Sequence, residues 1–162
     1  RGDNDRLREA VVGLRGESAS ATLQALLQVA KGSIDRQLEA EKLHLENETH
    51  DEEDDGALYA LLEEEDDLLQ HCTDAIGYLI KSFKADFFPV FESKIEPVYA
   101  PLLRVHDAPS TMLPALRCCA TCVFDDAVEH LGPLAVEKYA ASLLSAVLKE
   151  SACNDKDGLE HW

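Results

Sequence analysis

The sequence predicts an all-α protein made of antiparallel helix pairs set side by side, and three observations predict it. Leu and Ala dominate while aromatic residues make up only 6% of the 162-residue chain, and both lose little entropy on entering a helix. Apolar residues recur at spacings of three and four along most of the chain, the period of one helix face. No stretch shows the apolar–polar alternation of a half-buried strand. With 46% hydrophobic and 29% charged residues, the chain can build one domain with a core of its own.

Asn4 or Asp5 caps a short helix that runs to about Leu14, with Leu7, Ala10, Val11 and Leu14 on one face. Gly16 to Ser18 breaks it. A long helix follows from about Ser20 to Leu45, carried by Leu23, Leu26, Leu27, Ala30, Ile34, Leu38 and Leu45, with a one-residue slip near Gly32. Residues 46–56 read as an acidic loop that Gly56 ends. The helical period returns from Ala57 to about Phe83 through Leu58, Leu61, Leu62, Leu68, Leu69, Cys72, Ile76, Leu79, Ile80 and Phe83.

The next helix spans about Ala85 to Val105 and tolerates Pro89 near its start. Pro97 and Pro101 are expected to bend it or end it early. After a turn over His106–Ser110, a fifth helix covers about Thr111 to His130. Gly132-Pro133 is a compact break, and a sixth helix covers about Leu134 to Glu150. The predicted pairs are residues 4–45, 57–105 and 111–150. Their period from residue 57 onward is about 45 residues, the HEAT or armadillo length class. The expected architecture is one segment over residues 1–162, an α-solenoid of about three HEAT repeats.

The formal net charge is −17, and from Leu45 to Leu68 there are twelve Asp or Glu residues and no Lys or Arg. Such a surface repels phosphate backbones, so no direct nucleic-acid binding is expected. Basic protein partners are its natural complement. The five cysteines are odd in number, with three clustered at Cys118, Cys119 and Cys122, which fits a reducing compartment better than a disulfide framework. No apolar run reaches the roughly 18 residues that a membrane span needs, and no signal peptide is read. The chain begins at Arg1 rather than Met, so a piece of a longer protein is expected.

Two stretches carry a resemblance. KSFKADFFPVFESKIEPVYAPLL, Lys81 to Leu103, and CVFDDAVEHLGP, Cys122 to Pro133, resemble HEAT repeats of the importin-β (karyopherin-β) family of nuclear transport receptors, in the branch that holds importin-4 and importin-5. The second is similar to that branch's C-I-F-D-D-V-I-E-H segment. The acidic GALYALLEEEDDLL, Gly56 to Leu69, also suits the family. The resemblance covers about Glu63 to Ser151. Residues 1–45 fit only as a generic helical pair.

The resemblance implies nucleocytoplasmic protein transport without enzymatic chemistry or cofactor, and residence in cytoplasm and nucleus. It implies basic cargo proteins, nuclear pore proteins and the Ran GTPase as partners of the full receptor. The family's GTPase-binding region lies in its N-terminal repeats and is not assigned here. Members are several-fold longer, so an excised internal segment is implied, and its uncapped ends are expected to self-associate. Phe124, Asp125, Asp126, Glu129 and His130 are implied to be scaffold residues.

The candidate binding residues are acids. Glu52, Glu53, Asp54 and Asp55 fall in the predicted loop, and Glu63, Glu64, Glu65, Asp66 and Asp67 fall inside a helix. Five consecutive acids cannot share one helix face, and like charges four apart repel. Such a run is either a solvated surface or a patch for a Lys- or Arg-rich segment. Asp51 to Gly56 also resembles the start of a calcium loop, but the bidentate glutamate needed at the loop's last position is Leu62 here. Only Cys118 and Cys122 share a helical face, too few for structural zinc. All three clustered cysteines are expected to be free and buried between helices. No nucleophile elbow, phosphate loop or glycine-rich fingerprint is present, so no catalytic residue is expected. The alternatives are a HEAT-type scaffold or adaptor unrelated to transport, and a calcium-responsive helical protein.

Overall fold

The computed structural model describes residues 17–46, 52–104 and 113–154, and no strand occurs among them. The predicted helix over residues 4–14 lies outside the described residues. Two long helices come first, α1 (Glu17–Glu46) and α2 (Glu52–Phe83). The expected loop over 46–56 is therefore shorter, because Glu46 still belongs to α1 and α2 starts at Glu52. Helix polarity explains the early start. Glu52 to Asp55 form the first turn of α2, where unpaired amides and the macrodipole favour negative charge. Gly56, expected to end the acidic run outside a helix, lies within α2.

α1 and α2 form an antiparallel hairpin whose buried stripes carry polar residues among the apolar ones. On α1 Ser33 is buried beside a stripe made of Leu23, Leu27, Ala30, Ile34, Gln37 and Glu41. These follow an unbroken four–three spacing, so the expected slip near Gly32 does not occur. Leu38, predicted to be core, is exposed. On α2 the stripe runs Leu62, Glu65, Leu69, Cys72, Ile76 and Ile80, again with a carboxylate at a core position. Leu61 and Leu68 point outward.

α2 ends where Lys84 takes a left-handed φ of 51°. A bent rod follows: a 3-10 turn at Lys84–Phe87, α3 (Phe88–Val90), a π turn at Phe91–Ile95, α4 (Glu96–Tyr99) and a 3-10 turn at Leu102–Arg104. The expected proline effects are visible here. Pro97 has no N–H to give the Ser93 carbonyl, and its ring crowds that carbonyl in an ordinary helix. The backbone instead widens, with the Glu96 N–H donating to the Phe91 carbonyl, as π turns do. Ala100 N–H then reaches the Glu96 carbonyl at 2.8 Å, and the helix stops before Pro101.

The last two helices are α5 (Leu113–His130) and α6 (Pro133–Asn154). Gly132 joins them at φ +90°, a conformation that glycine adopts without a Cβ penalty. Pro133 takes the first helical position, where its missing N–H costs nothing.

Packing between these elements keeps a steady offset. Gln70 of α2 touches Cys119 of α5, 49 residues on, and Gly77 faces Asp126 at the same separation. A constant offset means that α2 and α5 run parallel. The rod also packs on α6, where Glu92 and Glu96 both reach Lys138 and Glu96 accepts from Tyr139. The parallel run of α2 with α5, and the packing of the rod on α6, are compatible with a helical repeat. The buried junction is aromatic. Phe91, Phe124 and Tyr139 meet edge to face, with centroids 5.2 to 5.6 Å apart.

Candidate protein-binding surface

The acidic run of α2 divides between two faces. Glu65 is 9% exposed and Asp66 half-buried, both turned toward α1, whereas Glu63, Glu64 and Asp67 are exposed. Arg36 grips Glu65 with both prongs, Nε to Oε1 at 2.5 Å and a terminal nitrogen to Oε2 at 2.8 Å. The Ser33 hydroxyl donates to the Glu65 backbone carbonyl at 3.0 Å. The Arg36 hydrogen bonds hold the Glu65 carboxyl below the usual carboxylate range, against an opposing effect of burial. Glu65 is thus a structural ion pair and not part of the open patch. Burial pushes the Asp66 carboxyl up. Burial does the same to Glu41, partly offset by the Arg117 charge.

The exposed members share one face. Glu63, Asp67 and Asp74 recur at spacings of four and seven, with Glu64 at the edge. Asp74, which accepts a hydrogen bond from the Gln70 amide at 2.9 Å, belongs to this face and was absent from the sequence-level candidates. Its signal was helical spacing, hidden because it lies outside the run. Among the described residues no ion pair is made by Glu63, Glu64, Asp67 or Asp74. Glu52, Glu53, Asp54 and Asp55 belong to α2 by backbone, and their side chains lie outside the described residues.

The expected scaffold residues of α5 lie at its seam with α2 and on its outer face. Phe124 is in the aromatic junction. Asp126 pairs with Lys81 of α2 at 3.0 Å, directly beside Gly77. Glu129 lies 3.7 Å from His130, and Asp125 is exposed. Asp126, Glu129 and His130 each present a ligand-type atom within 4.8 Å of one another. The Lys81 ammonium already compensates the Asp126 charge, so the trio reads as part of the α2–α5 seam.

One polar network was not legible in the sequence. Lys138 of α6 reaches Glu92 at 2.7 Å and Glu96 at 2.9 Å, and the Tyr139 hydroxyl donates to Glu96 at 2.6 Å. Burial, helped by Glu96, pushes the Tyr139 phenol up to about 12. These bonds tie the rod to α6 beside an open groove of about 520 Å³, floored by Leu103, Phe124 and Ala146 and edged by Ser142, Ser145 and Lys149.

The clustered cysteines are not all buried, contrary to expectation. Cys119 and Cys72 are buried, but Cys118 and Cys122 are exposed free thiols. α5 buries the face of Leu116, Ala120, Val123 and Ala127, and Cys118 and Cys122 fall beyond the edge of that stripe. Cys153 lies outside the residues whose side chains are described.

Comparison with protein-family models, with curated proteins and with solved structures finds no match to this chain. No described helix is long and apolar enough to cross a membrane.

Proposed function

We propose that this chain is a non-enzymatic protein-binding segment, an α-solenoid of about three HEAT repeats from an importin-β-like nuclear transport receptor. Its acidic face takes a Lys- or Arg-rich segment of the partner. The observation that carries the reading is the exposed acidic face of α2, where Glu63, Glu64, Asp67 and Asp74 project on one side while Glu65 is spent on Arg36. Like charges held on a stiff helix repel one another, and an opposing basic segment relieves that repulsion on docking.

Binding of this kind needs no chemistry. Attraction between fixed acids and a flexible basic chain raises the on-rate and selects against acidic partners. The parallel offset of α2 with α5 and the packing of the rod on α6 support a repeat. The outer face of α6 carries exposed Leu134, Leu144 and Leu148, which suits an open end of a stack where a further repeat or a second copy packs. In the full receptor the segment works in cytoplasm and nucleus, with cargo, pore proteins and the Ran GTPase as partners. The helical start of α2 at Glu52 disfavours the calcium reading, because a calcium loop must wrap its ligands around the ion.

The transport reading is tested by the size and company of the native polypeptide. An antibody raised to this chain should detect a band several-fold larger than 17.9 kDa that co-precipitates Ran loaded with GTP. A native band at 17.9 kDa, or a large one that ignores Ran, contradicts it and leaves a scaffold unrelated to transport.

A further inference from the structure

We propose that Cys118 and Cys122 of α5 form a two-thiolate site for a soft monovalent metal ion, Cu(I). Both are free and both are exposed. They are one helical turn apart on the same face, a spacing that sets Cβ atoms about 5–6 Å apart and lets the two sulfurs meet over one ion. Cys122 responds to its neighbour, since after burial the nearby Cys118 thiol is a further cause of the rise of the Cys122 thiol to about 11.

The number and type of ligands select the metal. Zinc wants about four ligands, and the other described cysteines, Cys72 and Cys119, are buried in the core. Two sulfurs without further ligands suit a soft d10 ion that accepts linear coordination, which among first-row metals is Cu(I). The surroundings add attraction. The charges of Asp125 and Asp126 act on Cys122, and the whole chain carries −17. Binding is a simple exchange. Each S–H bond breaks, both protons pass to solvent, two Cu–S bonds form, and no electron is transferred.

Elsewhere in the fold, no cluster of described side chains offers two soft ligands that solvent can reach. The Asp126–Glu129–His130 group has hard oxygens and a competing lysine. The site therefore predicts selectivity as well as binding.

The test is an anaerobic titration of the reduced full chain with Cu(I) buffered by bicinchoninate, with folding followed by circular dichroism. One Cu(I) per chain is expected, with a two-coordinate X-ray absorption signature. Cys118→Ser and Cys122→Ser should each weaken binding roughly 100-fold, because a single thiolate loses the benefit of two linked ligands. Cys72→Ser, Cys119→Ser and Cys153→Ser should retain it. No transfer of Cu(I) from the chelator overturns the proposal. Binding that survives Cys118→Ser/Cys122→Ser, or that Cys153→Ser abolishes, overturns it equally.

Discussion

Gly77 of α2 lies so close to Asp126 of α5 that a Cβ at position 77 would sit 2.5 Å from the Asp126 Oδ2 atom. The other carboxylate oxygen holds Lys81 at 3.0 Å. Replacing a helix-interior glycine by alanine ordinarily stabilises by about 0.8–1.0 kcal/mol. Here the methyl group must push the carboxylate from its lysine. Gly77→Ala should therefore give little or no gain in the native background and its full gain in an Asp126→Ala background. A urea-unfolding cycle should show a coupling of about 1 kcal/mol. Equal gains in both backgrounds would contradict the close seam.

The Arg36–Glu65 pair makes stability depend on pH in a defined direction. Arg36 holds the Glu65 carboxyl below its ordinary value, so the folded state binds its proton less readily than the unfolded chain. The stabilisation is present above the ordinary glutamate value of about 4.3 and is lost as pH falls through the depressed folded value. Glu65→Gln should be less stable than the native chain at pH 7. The gap in melting temperature should close between pH 5 and the acid limit. A gap that stays constant with pH would show that the pair is not ionised in the fold.

Phe124 joins three elements through its rings, with Phe91 at 5.6 Å and Tyr139 at 5.2 Å. Phe124→Ala leaves a cavity among the rod, α5 and α6, and a loss of about 3–5 kcal/mol is expected. Phe124→Leu keeps most of the volume and should cost much less. Thermal unfolding of the two variants distinguishes a packed junction from a loose one, in which both would melt near the native temperature.

Among the described residues two hold left-handed backbone, and their substitutions should act in opposite directions. Lys84 has φ 51° and Gly132 has φ 90°. A side chain in this region costs roughly 1–2 kcal/mol. Lys84→Gly should therefore stabilise by up to about 1 kcal/mol, reduced by the entropy of the freer unfolded chain. Gly132→Ala should destabilise by more than about 1 kcal/mol. Stabilisation by Gly132→Ala would contradict the geometry of the α5–α6 turn.

Most of the helices were legible because hydrophobic periodicity and proline or glycine punctuation report local structure. The predicted 20–45 helix is α1 with its ends extended, and Gly132-Pro133 breaks the chain where expected. The polar positions of the α1–α2 seam were not legible. A search for apolar stripes passes over Gln37, Glu41 and Glu65, although they occupy the four-and-three positions, and it is drawn instead to Leu38. Two of these residues hide their polarity in specific ways, Glu65 by pairing with Arg36 and Glu41 by its proximity to Arg117. Lys84 gave no signal because a lysine does not announce a left-handed turn. The Lys138–Glu92–Glu96 network depends on packing of elements more than 40 residues apart, which no local pattern contains. Of the acidic candidates, charge alone identified the patch, and only packing separated Glu65 from Glu63, Glu64 and Asp67.

The central claim is that the exposed acids of α2 bind a basic segment, and a fluorescence-anisotropy titration tests it most directly. A labelled Lys- and Arg-rich peptide should bind the native chain, and a neutral peptide of equal length should not. Raising salt from 50 to 500 mM should weaken binding, since exposed charges are screened beyond a Debye length of about 10 Å at 0.1 M. Glu63→Lys/Glu64→Lys/Asp67→Lys should reduce affinity by roughly tenfold or more, while Glu137→Lys on α6 should leave it near the native value. Native-like affinity in the triple variant, or no difference between the basic and neutral peptides, would contradict the account.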